Sequence, residues 1–185
     1  MPVWALPALV WSLPACAHGF GGNGWLHPLT GPDHMLAMVA VGAWSAQLGG
    51  RAVAAVPGAF VLAMAAGGAA GFAGWVPAGT EGAIALSVIL LGAAIAAARP
   101  LAWPVAAFAV MLFGLAHGVA HGGEMPRSED PLGYALGFLV TTAGLHALGL
   151  VGGLLVLERP GGARTLRLLG AAATVAGIGI AVPLA

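Results

Sequence analysis

The sequence predicts an all-α, polytopic membrane helical bundle, with six transmembrane helices behind an N-terminal signal peptide. Three observations carry that expectation. The first is composition: 60% of the 185 residues are hydrophobic and 6% are charged, with a mean hydropathy of +0.98. A soluble domain carries about a quarter charged residues, so this chain cannot clothe a surface that faces water on every side. The second is length: the apolar runs approach the ~20 residues that cross a bilayer and are separated by short polar, Pro or Gly stretches. The third is the placement of the arginines, which alternates with the spans as a folded-through-the-membrane chain requires. The net charge of zero points to no particular partner, and the absence of lysine argues against a nucleic-acid surface. The single cysteine, Cys16, excludes an intrachain disulfide framework.

Residues 1–17, MPVWALPALVWSLPACA, form a short apolar run ending in Ala15-Cys16-Ala17, the small-residue pattern of a signal-peptidase site. Two other readings fit the same residues: a lipoprotein-like site at Cys16, or a retained extra anchor. Residues 18–185 are then expected to form a single six-helix transmembrane domain. The six spans are expected at 27–48, 52–75, 82–98, 101–122, 132–157 and 165–184. Links such as GGRA and ARPLA are short enough to make sequential spans antiparallel neighbours. Arg51 follows the first span, Arg99 the third, and Arg159, Arg164 and Arg167 surround the link after the fifth. Arg127, after the fourth, stands among Glu124, Glu129 and Asp130. Five of six arginines thus share one side, which the positive-inside rule makes cytoplasmic. Both the N-terminus after cleavage and the C-terminus then lie outside. Trp25, Trp75 and Trp103 fall at span ends, where indole anchors to the interface. Gly114, Gly118 and Gly122 make a small-residue ridge on the fourth span, and AAGGAAGFAG does similar work in the second; such ridges let helices approach closely in lipid. The ridge on the fourth span is expected to let it meet the first.

Ionisable side chains in a membrane are costly and mark function by default. Here they gather at two span ends on the outer side. The first span opens with His27, Asp33 and His34; the fourth closes with His117, His121 and Glu124. Four-residue spacing puts His117 and His121 on one helical face, a spacing that suits a divalent metal, with a nearby carboxylate to ligate or to orient a ring. Glu124 shares that face if the helix persists through Gly122 and Gly123; otherwise it becomes a loop residue at the mouth. Near His27, Pro28, Gly31 and Pro32 disfavour an unbroken helix. Thr30 could cap a helix starting near Pro32, leaving 27–31 as irregular backbone lining a cavity. His146 lies mid-span, one turn after Thr142. Structural explanations exist for each: an interhelical hydrogen bond for the His117/His121 pair, a helix-start charge for Asp33, a Thr142 hydrogen bond for His146. His18 would become the first residue after cleavage, where its amine and ring could chelate together and pass an ion along HGFGGNGW to His27.

Together, HPLTGPDH, the following MLAMVAVGAWSAQLGGRA and the later AHGVAHGGE resemble the HupE/UreJ family of nickel permeases. The resemblance implies a bacterial inner-membrane protein that takes up Ni2+, in some members Co2+, for hydrogenase or urease maturation. It implies metal handling by His27, Asp33 and His34 and by His117, His121 and Glu124. No resident cofactor is expected, because the metal is cargo; the divalent ion and the lipid bilayer are the expected partners. No ATPase signature occurs, which leaves facilitated or ion-coupled passage. A chain of this kind is not expected to be an enzyme. The rival reading is a zinc-dependent intramembrane hydrolase, in which His34, His117, His121 and Asp33 would hold zinc and Glu124 would act as base.

Overall fold

The computed structural model describes residues 24–126 and 130–182, with the backbone alone described at His27. The expected signal peptide, His18, Arg127 and Glu129 lie outside the described residues. Among the described residues the secondary structure is entirely helical: α1 (His27–Thr30), α2 (Pro32–Leu48), α3 (Ala52–Phe72), α4 (Thr80–Ala97), α5 (Trp103–Glu124), α6 (Pro131–Leu157) and α7 (Gly162–Ala181). Helices α3 to α7 are each long and apolar enough to cross a membrane; α2, at 17 residues, is slightly shorter.

The expected spans map onto α2 to α7 with small shifts at their ends. The one qualitative difference is at the start. Residues 27–30 are a single helical turn rather than irregular backbone, and the chain then breaks at Gly31, which is extended (φ −90°, ψ 112°). The N-cap of α2 is therefore Gly31, not Thr30, and makes no side-chain cap. Pro28 and Pro32 each occupy a first-turn position, where a missing N–H costs nothing. At the other end α5 continues through Gly122 and Gly123 to Glu124, so Glu124 ends a helix instead of sitting in a loop. The α2–α3 link turns on Gly49 (φ 68°) and Gly50 (φ 53°), both left-handed, a region that glycine enters without a Cβ clash. Asp130 caps α6, its carboxylate accepting from the backbone N–H of Leu132 (3.3 Å) and Gly133 (2.9 Å).

The closest helix pairs are not sequential, contrary to the expectation from short links. They are α3 with α5, α2 with α6, and α4 with α7. The Gly114/Gly118/Gly122 ridge of α5 packs on α3, against the backbone of Phe60, Met64 and Gly68, not on α2. Gly67 and Gly71 of α3 return the contact onto Leu115 and Val119. Because residue numbers rise together across this contact, α3 and α5 run parallel. So do α2 and α6, where Gly149 meets Val39 and Gly153, one turn on, meets Ala43; α4 and α7 run antiparallel, Gly92 lying against Gly170 and Thr174 and Gly177 against Ile89. Apolar burial gives no net drive between helices in lipid, so backbone-to-backbone approach at small residues decides partners. Spacing within one helix reveals the ridge, while the partner is set by which other helices also carry one.

Between the first two pairs lies a shared core of Met38, Val41, Trp44, Val56, Phe60, Met64 and Phe138. Outward positions such as Leu62, Phe108, Leu148 and Val175 are exposed, as an apolar lipid-facing surface should be. Trp25, Trp75 and Trp103 are half exposed near helix ends. At one end of the bundle Gln47 donates to Ile95 O (3.1 Å) and Arg167 Nε donates to Ala96 O (2.9 Å). These bonds gather the ends of α2 and α4 and the start of α7, along with the Arg51, Arg99 and Arg159–Arg167 positions. The His-bearing ends of α2 and α5 lie at the opposite end.

Candidate metal site

Two signatures about 80 residues apart in sequence meet in space. His34, in the first turn of α2, turns its ring toward α5 and is 8% exposed; His117 and His121, on one face of α5, are fully buried. The His34 ring centroid is 5.1 Å from that of His117, edge-on at 80°, and 4.6 Å from that of His121, tilted at 57°. The cross-helix convergence expected from the sequence is present, although α5 is steered there by α3 rather than by a direct ridge contact with α2.

Hydrogen bonding fixes how two of these rings present themselves. Asp33 Oδ1 lies 2.8 Å from His34 Nδ1 and also accepts the His34 backbone N–H at 2.8 Å. A carboxylate can only accept, so Nδ1 carries the proton and Nε2 of the neutral ring carries the lone pair. His117 Nδ1 stands 2.9 Å from the carbonyl of Phe113 one turn back. The same logic puts the lone pair of His117 on Nε2, a buried atom with no hydrogen-bond partner among the described residues. This acceptor–histidine pairing is how metal-binding imidazoles are oriented. His121 stacks on Phe138 at 5.3 Å and 25°, and Phe60 closes the inner side of His117 at 5.3 Å.

The rings touch without forming a closed cage. Among the described residues no group of three or more His, Cys, Asp or Glu side chains has the geometry to hold a metal ion together. Seating an ion among these donors therefore requires ring rotation or a small helix shift. His27 lies in α1, one turn before the Gly31 break. Glu124 is exposed at the end of α5. His146 does not join the outer trio: it is buried one turn beyond Thr142, its ring 4.9 Å from that of Phe60. Thr142 does not bond to it, because its hydroxyl is directed to the sulfurs of Met38 (3.3 Å) and Met64 (3.8 Å).

Sequence reasoning missed Glu81. This residue sits in the first turn of α4, within electrostatic reach of Glu124, Asp33 and His34. It reads in sequence as an ordinary helix-start acid. The available signal was its place in the link after the second span, which the arginine map puts on the same side as both histidine signatures.

Comparison with known proteins places the chain in a family. A family model described as HupE / UreJ protein matches residues 5–180. A protein named Protein HupE, from Rhizobium leguminosarum bv. viciae, is 46% identical over 146 residues, covering 75% of this chain and 76% of its own length. No solved structure matches. With a family match across nearly its whole length and a relative this similar, the chain belongs to the HupE/UreJ family.

Proposed function

We propose that this protein carries Ni2+, with Co2+ as a second cargo, inward across the bacterial inner membrane through a His/Asp site between α2 and α5. Membership of the HupE/UreJ family supports a metal-transport role in general. The observation that carries the finer reading is the pair of Nε2 lone pairs, on His34 and His117, whose rings are held by acceptor-only partners and lie edge to face across two helices. Imidazole nitrogen suits nickel and cobalt.

In this reading α2 to α7 are six spans, the arginine-rich end faces the cytoplasm, and both termini face the periplasm. The cation is drawn in by Asp33 and Glu124, sheds part of its water and binds His34 and His117. His121 joins by turning off Phe138, and His27 contributes from α1. His18 at the processed N-terminus delivers the ion, and His146 receives it deeper in the bundle. Protonation of an imidazole releases its metal, since only the neutral ring ligates. The metal then serves hydrogenase or urease maturation.

The test is flux of radioactive nickel into vesicles containing the purified chain, with His117→Ala and Asp33→Asn as variants. Uptake should fall at least tenfold in each, matching the usual loss when a ligand or its orienting partner is removed. Wild-type flux untouched by both changes would refute the site. Zinc-dependent hydrolysis with no flux would favour the hydrolase instead.

A further inference from the structure

Met38, Met64, Thr142 and His146 form a second polar knot inside the bundle, separate from the three outer histidines. Met38 is one turn beyond His34 on α2, and His146 one turn beyond Thr142 on α6. Thr142 Oγ1 lies 3.3 Å from Met38 Sδ and 3.8 Å from Met64 Sδ, so sulfurs from two helices face a common point at a third. Met38, Met64 and Thr142 are fully buried and His146 is 2% exposed. The His146 ring has the Met38 backbone as a hydrogen-bonding neighbour, which can serve one ring nitrogen and leaves the other without a partner among the described residues. A buried polar group left in that condition costs about 1–3 kcal/mol. Leucine or phenylalanine would fill the same space without that cost, so packing does not account for an imidazole here.

The donor chemistry is specific. Two thioethers and one imidazole are neutral, and no carboxylate belongs to the group. Thioether sulfur selects soft cations, Cu(I) above all, over nickel or cobalt. A neutral, buried donor set also favours a monovalent ion, because desolvating charge grows more costly with charge. We propose that Met38, Met64 and His146 form an inner site for a soft monovalent cation, Cu(I) or Ag(I), with the Thr142 hydroxyl holding the two sulfurs at their common point. The assignment goes beyond nickel uptake, since its sulfur donors have no part in that reading.

Silver is the practical probe because it does not change oxidation state. Full-length protein in detergent, with Cys16→Ser throughout to remove the thiol, is dialysed against Ag(I) and its bound metal measured. Met38→Leu and Met64→Leu conserve volume and should leave the fold intact. Each should weaken Ag(I) binding at least tenfold, and the double variant should abolish it. A His34→Ala/His117→Ala variant should keep wild-type Ag(I) binding even if it loses nickel flux, which separates this proposal from the uptake reading. Wild-type silver affinity in the Met38→Leu/Met64→Leu protein overturns the proposal, as does loss of silver in the outer-histidine variant. X-ray absorption of the protein loaded with Cu(I) under reducing conditions gives a reading that needs no variant. Sulfur neighbours with one nitrogen support the site, and nitrogen or oxygen neighbours alone overturn it.

Discussion

Replacing Gly118 by alanine puts the helix packing to a quantitative test. A Cβ at this position would overlap the Met64 carbonyl and stand 2.8 Å from the Gly68 nitrogen. Both are backbone atoms of α3, so no side chain can rotate away. Restoring an ordinary 3.5–4.0 Å contact to that carbonyl requires α3 and α5 to part by roughly 1.5 Å, which also loosens the approaches at Gly67, Gly71, Gly114 and Gly122. Overpacking of this kind costs about 1–3 kcal/mol, and the upper end applies when backbone must move. Alanine recovers up to about 1 kcal/mol of helix propensity. The net is a loss of about 2 kcal/mol, roughly a thirtyfold shift in the folding equilibrium. Gly144→Ala isolates the propensity gain, because Gly144 is exposed on α6 with nothing within 4 Å of an added Cβ; it should stabilise by up to about 1 kcal/mol. Denaturant titration of the two variants in one detergent, followed by circular dichroism, measures the difference. A Gly118→Ala protein as stable as its parent, or two variants shifting alike, would show that the close α3–α5 approach is not holding the bundle together.

Asp130→Ala removes the carboxylate that accepts from Leu132 and Gly133 and should lower stability by about 1 kcal/mol, with nickel uptake retained; the same titration together with a flux assay checks both halves. Nickel uptake should fall as the medium is acidified, because neutral imidazole ligates and protonated imidazole does not. Uptake in pH-clamped vesicles that stays flat down to the lowest pH the folded protein survives would argue against histidine ligation. Glu81→Gln removes one negative charge facing Asp33, His34 and Glu124 and should slow uptake most at scarce metal and low ionic strength, where attraction of the cation counts most; a loss that is the same at every metal and salt concentration would assign Glu81 another role.

The fold class was legible because lipid leaves few alternatives: an apolar run of sufficient length with Pro and Gly at its ends has little choice but to be a helix. Helix partners were not. The Gly114, Gly118 and Gly122 spacing announced a ridge, yet a ridge read alone does not say that α3 rather than α2 will lie in it. The meeting of His34 with His117 and His121 was readable because ionisable groups in a membrane must find company. The structural alternative for His146, a hydrogen bond to Thr142, is not the one that forms: the hydroxyl goes to Met38 and Met64. One-turn spacing places two side chains on the same face but cannot reveal that sulfurs from α2 and α3 compete for the hydroxyl. Methionine carries no spacing rule in an apolar helix, so Met38 and Met64 were invisible as donors. Glu81 was hidden by its ordinary place at the start of α4.

The two parallel pairs divide the histidines between them. His34 and His146 ride on α2 and α6; His117 and His121 ride on α5, locked to α3. Each pair is fastened by peptide groups in direct contact, so neither can slide internally without breaking that fit. In the uptake reading proposed above, an opening for the ion would run along the seam between these pairs, where rings and thioethers interleave. On that reading, the side chains proposed to hold the metal would also be the teeth of the joint that parts to let it through.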